Sequence, residues 1–163
     1  MSARAVARTG GGIDPVAASA VYESRVGTGS DDGLIVTTLD GGLHWTDVTP
    51  SELRAHPWSK VSIIDAGRFD AATAYAAVNR IRCDDPRPHI YKTEDFGKNW
   101  TDIVNGLPAS PINAVREDIE NPNPLFCASE IKVSFSIDRG QTWQSLRNNM
   151  PPPALPDLDL HRT

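Results

Sequence analysis

A pattern of eight residues occurs three times along this chain, each copy without a gap. Thr38, Asp40, Gly42 and Trp45 define the first copy, Thr93, Asp95, Gly97 and Trp100 the second, and Ser136, Asp138, Gly140 and Trp143 the third. Each reads hydroxyl, any residue, Asp, any residue, Gly, any two residues, Trp. The chain has only 4 tryptophans, and three of them fall at this one position, so coincidence is a poor explanation. This box has the chemistry of a hairpin turn. The hydroxyl residue ends one strand. The Asp two residues on can fold its carboxylate back onto nearby backbone N–H groups, as Asx turns do. The Gly supplies the positive φ of a tight reversal. The Trp opens the return strand with a large apolar face. Folding alone accounts for these residues, so Asp40, Asp95 and Asp138 are read as structural rather than catalytic or metal-binding.

The flanks repeat as well. A β-prone run precedes each box: Leu34 to Thr37, His89 to Lys92, Lys132 to Phe135. A short exit strand and a proline-bearing stop follow. Upstream, the second unit offers strands at 61–65 and 73–78, and the third at 112–116 and 125–129. In the first unit the opening strand is read at 4–8, with Asp14-Pro15 in a turn and Val21-Tyr22 in the second strand. The boxes start 55 and 43 residues apart, the period of a four-stranded propeller blade. The longer interval is assigned to an insertion between the second and third strands of the second unit.

The expected fold is therefore all-β: a β-propeller fragment of about three four-stranded antiparallel blades, each carrying one box as a hairpin. Residues 1–50 are read as the first blade, 51–108 as the second with its long B–C loop, 109–153 as the third. Residues 154–163 start a fourth blade or form a disordered tail. A blade buries its faces only against neighbours. The chain is thus expected to be part of a longer propeller, with self-association through open blade faces as the alternative.

The boxes and their setting resemble the Asp-box, or BNR-repeat, propeller family. The nearest likeness is to large bacterial sortilin-like and "glycosyl hydrolase BNR repeat" proteins, carried also by 32–35, 84–93 and 103–108. The resemblance spans roughly residues 14–153 and implies fold more than activity. It implies a non-catalytic module binding a protein or carbohydrate, with a fragment of a sialidase- or xyloglucanase-type glycoside hydrolase as the alternative. No cofactor is expected. Its members are commonly secreted or extracytoplasmic, while residues 1–12 show no apolar signal segment, so localisation stays open.

Composition narrows partners. The net charge is −5, without the basic stripe of a nucleic-acid binder. No apolar run approaches the ~18–20 residues of a membrane span. Cys83 and Cys127 fit no metal or redox spacing and are read as free thiols. No pair of histidines has ligand spacing, and all four are read as surface or edge residues.

In a meander, the B–C and D–A loops share one end of the blade, opposite the boxes, and the resemblance places ligand sites there. The second-unit B–C loop, 79–89, carries Arg80, Arg82 and Arg87 beside Asp84 and Asp85. The Arg groups are candidates to recognise a carboxylate, and the Asp pair, with Asp65, are the weak catalytic candidates. Local Arg–Asp pairing is the simpler reading of that loop. Trp58 is expected to cover a blade junction, with stacking on a ligand as the alternative. The loop 29–33 is read as a plain turn rather than a cation site.

Overall fold

The computed structural model describes residues 13–18, 24–146 and 158. Three antiparallel meanders follow one another. The first sheet orders β1 (Ile13–Ala18), β2 (Val26–Ser30), β3 (Ile35–Thr38) and β4 (Thr46–Asp47). The second orders β5 (Lys60–Ala66), β6 (Ala74–Asn79), β7 (His89–Thr93) and β8 (Thr101–Asp102). The third orders β9 (Ile112–Glu117), β10 (Leu125–Ser129), β11 (Val133–Ser136) and β12 (Gln144–Ser145). These are three blades of a β-propeller fragment.

The second blade shows why the sheets stack. Side chains alternate across a strand. Ala76, Val78 and Tyr91 join Ala17, Ile35, Val48, Leu53, Val61 and Ile64 in a core against the first blade. Tyr75, Ala77 and Ile90 face the other way, into a core with Ile103, Ile112, Val115, Leu125, Cys127 and Trp143. Both faces of β6 are buried, which explains its continuous apolar run rather than a polar alternation.

The boxes are three copies of one turn. Thr38, Thr93 and Ser136 donate their hydroxyls to Oδ1 of Asp40, Asp95 and Asp138 at 2.8, 2.9 and 2.7 Å. Each hydroxyl oxygen also accepts the Gly N–H at 2.9 Å. Oδ1 of each Asp accepts the backbone N–H of His44, Asn99 or Thr142 at 2.8–2.9 Å. The N–H of His44 is the main reason that the Asp40 carboxyl drops to about 2; for Asp138, also at about 2, the Thr142 hydroxyl leads.

The constant Gly and Trp act between blades. The Trp100 indole N–H donates to the Val48 carbonyl of the first blade, and that of Trp143 to the Ile103 carbonyl of the second, both at 2.6 Å. A Cβ on Gly97 would sit 2.7 Å from Val48 Cβ, and one on Gly140 would sit 2.6 Å from Ile103 Cδ1. Their φ values of 85° and 89° independently require glycine. One small residue thus serves both the turn and the joint.

Three details differ from the sequence reading. The innermost strand of the first blade is β1, with Asp14-Pro15 inside it; the register shifts between Ile13 and Val16, where a proline is tolerated. The strand expected at 4–8, and Val21-Tyr22, lie outside the described residues. The connector from first to second blade forms a short helix, α1 (Ser51–Ala55), which burial of Leu53 secures. The excess length of the second unit is therefore shared between this connector and the B–C loop, not held by the loop alone.

Candidate functional site

Three loops meet at the end of the sheets opposite the boxes. The Trp58 N–H donates to the Asp32 carbonyl at 3.3 Å. Gly33 lies so close to the connector that a Cβ there would be 3.0 Å from the Ser59 carbonyl oxygen. The Cys83 thiol reaches the Pro57 carbonyl at 3.5 Å. The first-blade B–C loop, the connector and the second-blade B–C loop are thereby tied into one surface. Within the first of these loops the Ser30 hydroxyl donates to Asp32 and its oxygen accepts the Leu34 N–H.

Trp58 does not cover the junction. Its backbone takes a left-handed φ of 71°, which turns the indole outward and leaves it 56% exposed. Beside it, residues 81–83 form a single 3₁₀ turn closed by Asp84 in the left-handed region, φ 55°. Ile81, Arg82, Asp84 and Arg87 are exposed there. Arg80 points the other way and is buried.

Asp85 is the inward anchor of that loop. Arg87 forks onto it, Nε to Oδ1 at 2.8 Å and Nη2 to Oδ2 at 2.9 Å. His89 Nε2 lies 3.1 Å and Arg80 Nη1 3.3 Å from Oδ2. Arg87 first, and then His89, hold the Asp85 carboxyl well below the usual carboxylate range against the opposing effect of burial. His89 is buried, not a surface residue, and burial pushes its pKa down.

Asp65 belongs to a different place. It accepts the Glu117 N–H at 2.8 Å and Arg116 Nη1 at 3.2 Å. Glu117 in turn accepts the Tyr75 hydroxyl at 3.3 Å and the Arg68 N–H. Burial raises the pKa of both carboxyls. Asp65 is paired with Tyr75 in register, while the B–C loop leaves from Asn79. At ~3.3 Å per residue, Asp65 and the Asp84–Asp85 pair are roughly 13 Å apart along the blade. That exceeds the ~5–9.5 Å between paired carboxyls in glycoside hydrolysis. The three acidic candidates do not form one catalytic site. Among the described residues no group of three or more His, Cys, Asp or Glu could hold a metal ion.

A further feature escaped the sequence reading. A cleft of about 660 Å³ opens where the first and second blades meet, walled by 46–52, Arg54, Tyr91, 97–100 and Asp102. The cross-strand pair Tyr91–Asp102 forms one wall, and α1 brings Glu52 to the other. Nothing local in the sequence marks Tyr91 as more than a strand residue.

No family model and no curated protein matches the chain. Solved structures do. A glycoside hydrolase family 74 enzyme of Niastella koreensis is similar over 82% of this chain and 17% of its own, at 16% identity and a TM-score of 0.57. YCF48 from Cyanidioschyzon merolae is similar over 83% of this chain and 37% of its own, at 18% identity and a TM-score of 0.61. YCF48 bound to D1 peptide matches over 87% and 43%, at 18% identity and a TM-score of 0.60. The chain spans less than half of each. At such identity the likeness shows the fold: stacked propeller blades, found in an enzyme and in a peptide-bound protein alike.

Proposed function

We propose that this chain is a non-catalytic β-propeller module, a partial ring of the sortilin-like Asp-box class, that binds a protein ligand through the loop surface opposite the boxes. The observation that carries this reading is Trp58. A left-handed backbone on a non-glycine residue costs about 1–3 kcal/mol, and here it exposes a large indole at the junction of three tied loops. Exposed Trp and Arg are the residue types enriched where protein partners bind. Ile81, Arg82 and Arg87 are exposed on the neighbouring second-blade loop, which the Cys83 thiol ties to the Pro57 carbonyl. The peptide-bound propeller among the similar structures makes protein recognition by such blades a reasonable precedent.

The glycoside hydrolase alternative lacks support at the site. Asp85 is fully engaged by cations, Asp65 lies at the far end of the blade, and Asp84 closes a turn. Immobilised chain probed with a peptide library and a glycan array tests the proposal. The expected outcome is peptide binding that Trp58→Ala weakens tenfold or more with an unchanged thermal melting curve. Polysaccharide hydrolysis abolished by Asp84→Asn would overturn it.

A further inference from the structure

The cleft between the first and second blades has a composition that the fold alone does not explain. Tyr91 is only 3% exposed, and its hydroxyl makes no well-formed hydrogen bond among the described residues; Glu52 stands close enough to add to burial in raising its pKa. An unpaired buried hydroxyl costs about 1–3 kcal/mol. In the matching position of the next joint, the paired residues are Ser134 and Ser145, which leave no phenol to satisfy.

The charges around Tyr91 are also incomplete. Glu52 and Asp102 both line the cleft, and the charge of Glu52 adds to burial in raising the Asp102 pKa. Arg54 is already committed, forked onto Asp47 at 2.8 and 2.9 Å and donating to the Thr49 carbonyl at 3.2 Å. Arg80 stands 3.6 Å from Glu52 but is nearer to Asp85, at 3.3 Å. Lys98 is at the rim and exposed. The Trp100 ring closes one side and cannot swing away, because its N–H is held by the Val48 carbonyl.

We propose that this cleft is a second binding site, sharing the connector with the loop surface but not Trp58, that takes a guanidinium or ammonium group between Glu52, Asp102 and the Tyr91 hydroxyl oxygen, against the face of Trp100. A multi-donor cation is the chemistry that satisfies all three acceptors at once and relieves the repulsion between the two carboxylates. An indole face adds attraction for the same group. The cleft lies within the ~300–1,000 Å³ of ordinary ligand sites. Such a cation comes either from an Arg or Lys side chain of a protein or from a free polyamine.

Calorimetry on the full chain separates these sources, with acetyl-Gly-Arg-Gly-amide and spermidine as probes at up to about 1 mM. Binding of either supports the site, and the tighter one identifies the source. Glu52→Gln and Asp102→Asn are each expected to weaken it tenfold or more, and Tyr91→Phe several-fold, with melting curves that show a folded chain. Trp58→Ala is expected to leave it unchanged, so loss of the loop-surface reading and loss of this one are distinguishable. Three results would overturn the proposal. They are no binding of either cation, equal binding of the neutral citrulline peptide or of cellobiose, and binding indifferent to both carboxylate variants.

Discussion

The two joints between blades are built from the same parts and close differently. At the second joint Trp143 is 4% exposed and donates its backbone N–H to the Asn105 carbonyl at 2.9 Å, while the Asn105 amide donates to the Gln141 carbonyl at 3.3 Å. Val104 and Leu107 of the connector pack on the core beneath. At the first joint, of these hydrogen bonds among the described residues, the indole N–H bond of Trp100 to Val48 alone is repeated, beside the Gly97 approach to Val48; the connector turns into α1, Trp100 is half-buried, and the cleft opens. The box therefore fixes how one blade hangs on the one before it. The connector decides whether the seam is sealed.

The largest test of this comparison is a tryptophan series followed by urea unfolding. Trp143→Ala is expected to cost ~3–5 kcal/mol, as fully buried aromatics do. Trp100→Ala should cost ~1–3 kcal/mol, because part of its ring is already wet. Trp45, which has no preceding blade among the described residues, should lose less than ~1 kcal/mol. Equal losses at all three would mean that the indole serves the turn and not the joint.

The glycines sharpen the same point. Gly140→Ala and Gly97→Ala combine left-handed strain with overlap onto Ile103 and Val48, so each should cost ~2–4 kcal/mol. Gly42→Ala meets only Trp45, at 3.9 Å, and should cost ~1 kcal/mol of strain at φ 94°. Thermal melts of the three variants rank them directly.

Two tyrosines face the two joints from adjacent strands. Tyr75→Phe removes the hydroxyl that Glu117 accepts in the sealed joint and should cost ~1–2 kcal/mol. Tyr91→Phe removes a hydroxyl with no well-formed hydrogen bond in the open joint and should be neutral within ~0.5 kcal/mol or slightly stabilising. The reverse order would break the distinction between a satisfied joint and an open one.

The smallest effect is in the pH dependence. Asp40 and Asp138 have folded pKa values near 2, below their ordinary 3.8. Their contribution is complete above that ordinary value and is lost as pH falls from 3.8 towards 2. Asp65, Glu117 and Asp102 are raised, so the folded state holds their protons more firmly and gains stability as pH falls through their folded values. Melting temperature should rise as these groups protonate and then fall in strong acid. A monotonic fall from neutrality would contradict the burial of the Asp65–Glu117 pair.

The loop surface was half legible. The B–C and connector segments could be chosen from strand order alone, and the Arg–Asp pairing within 79–89 is local enough to foresee. That Arg80 turns inward while Arg82 and Arg87 stay exposed depends on the 3₁₀ turn and on Asp85 as its anchor. The outward turn of Trp58 depends on a hydrogen bond to Asp32 from a different blade. Helix α1 was missed because five residues, one of them buried, leave no periodic signal.

What the sequence determined by itself is the repeating unit. Each box is closed by hydrogen bonds spanning two to four residues, so residue type and spacing suffice to specify it. What only the tertiary structure decided is which face of a strand meets which neighbour. Tyr91 looks through the first joint and Tyr75 through the second, and the Tyr75 hydroxyl finds its partner in Glu117 of the next blade, 42 positions away. Short-range bonds are written in the order of the residues; satisfaction of a buried group is settled by whatever the stacked blades bring opposite it.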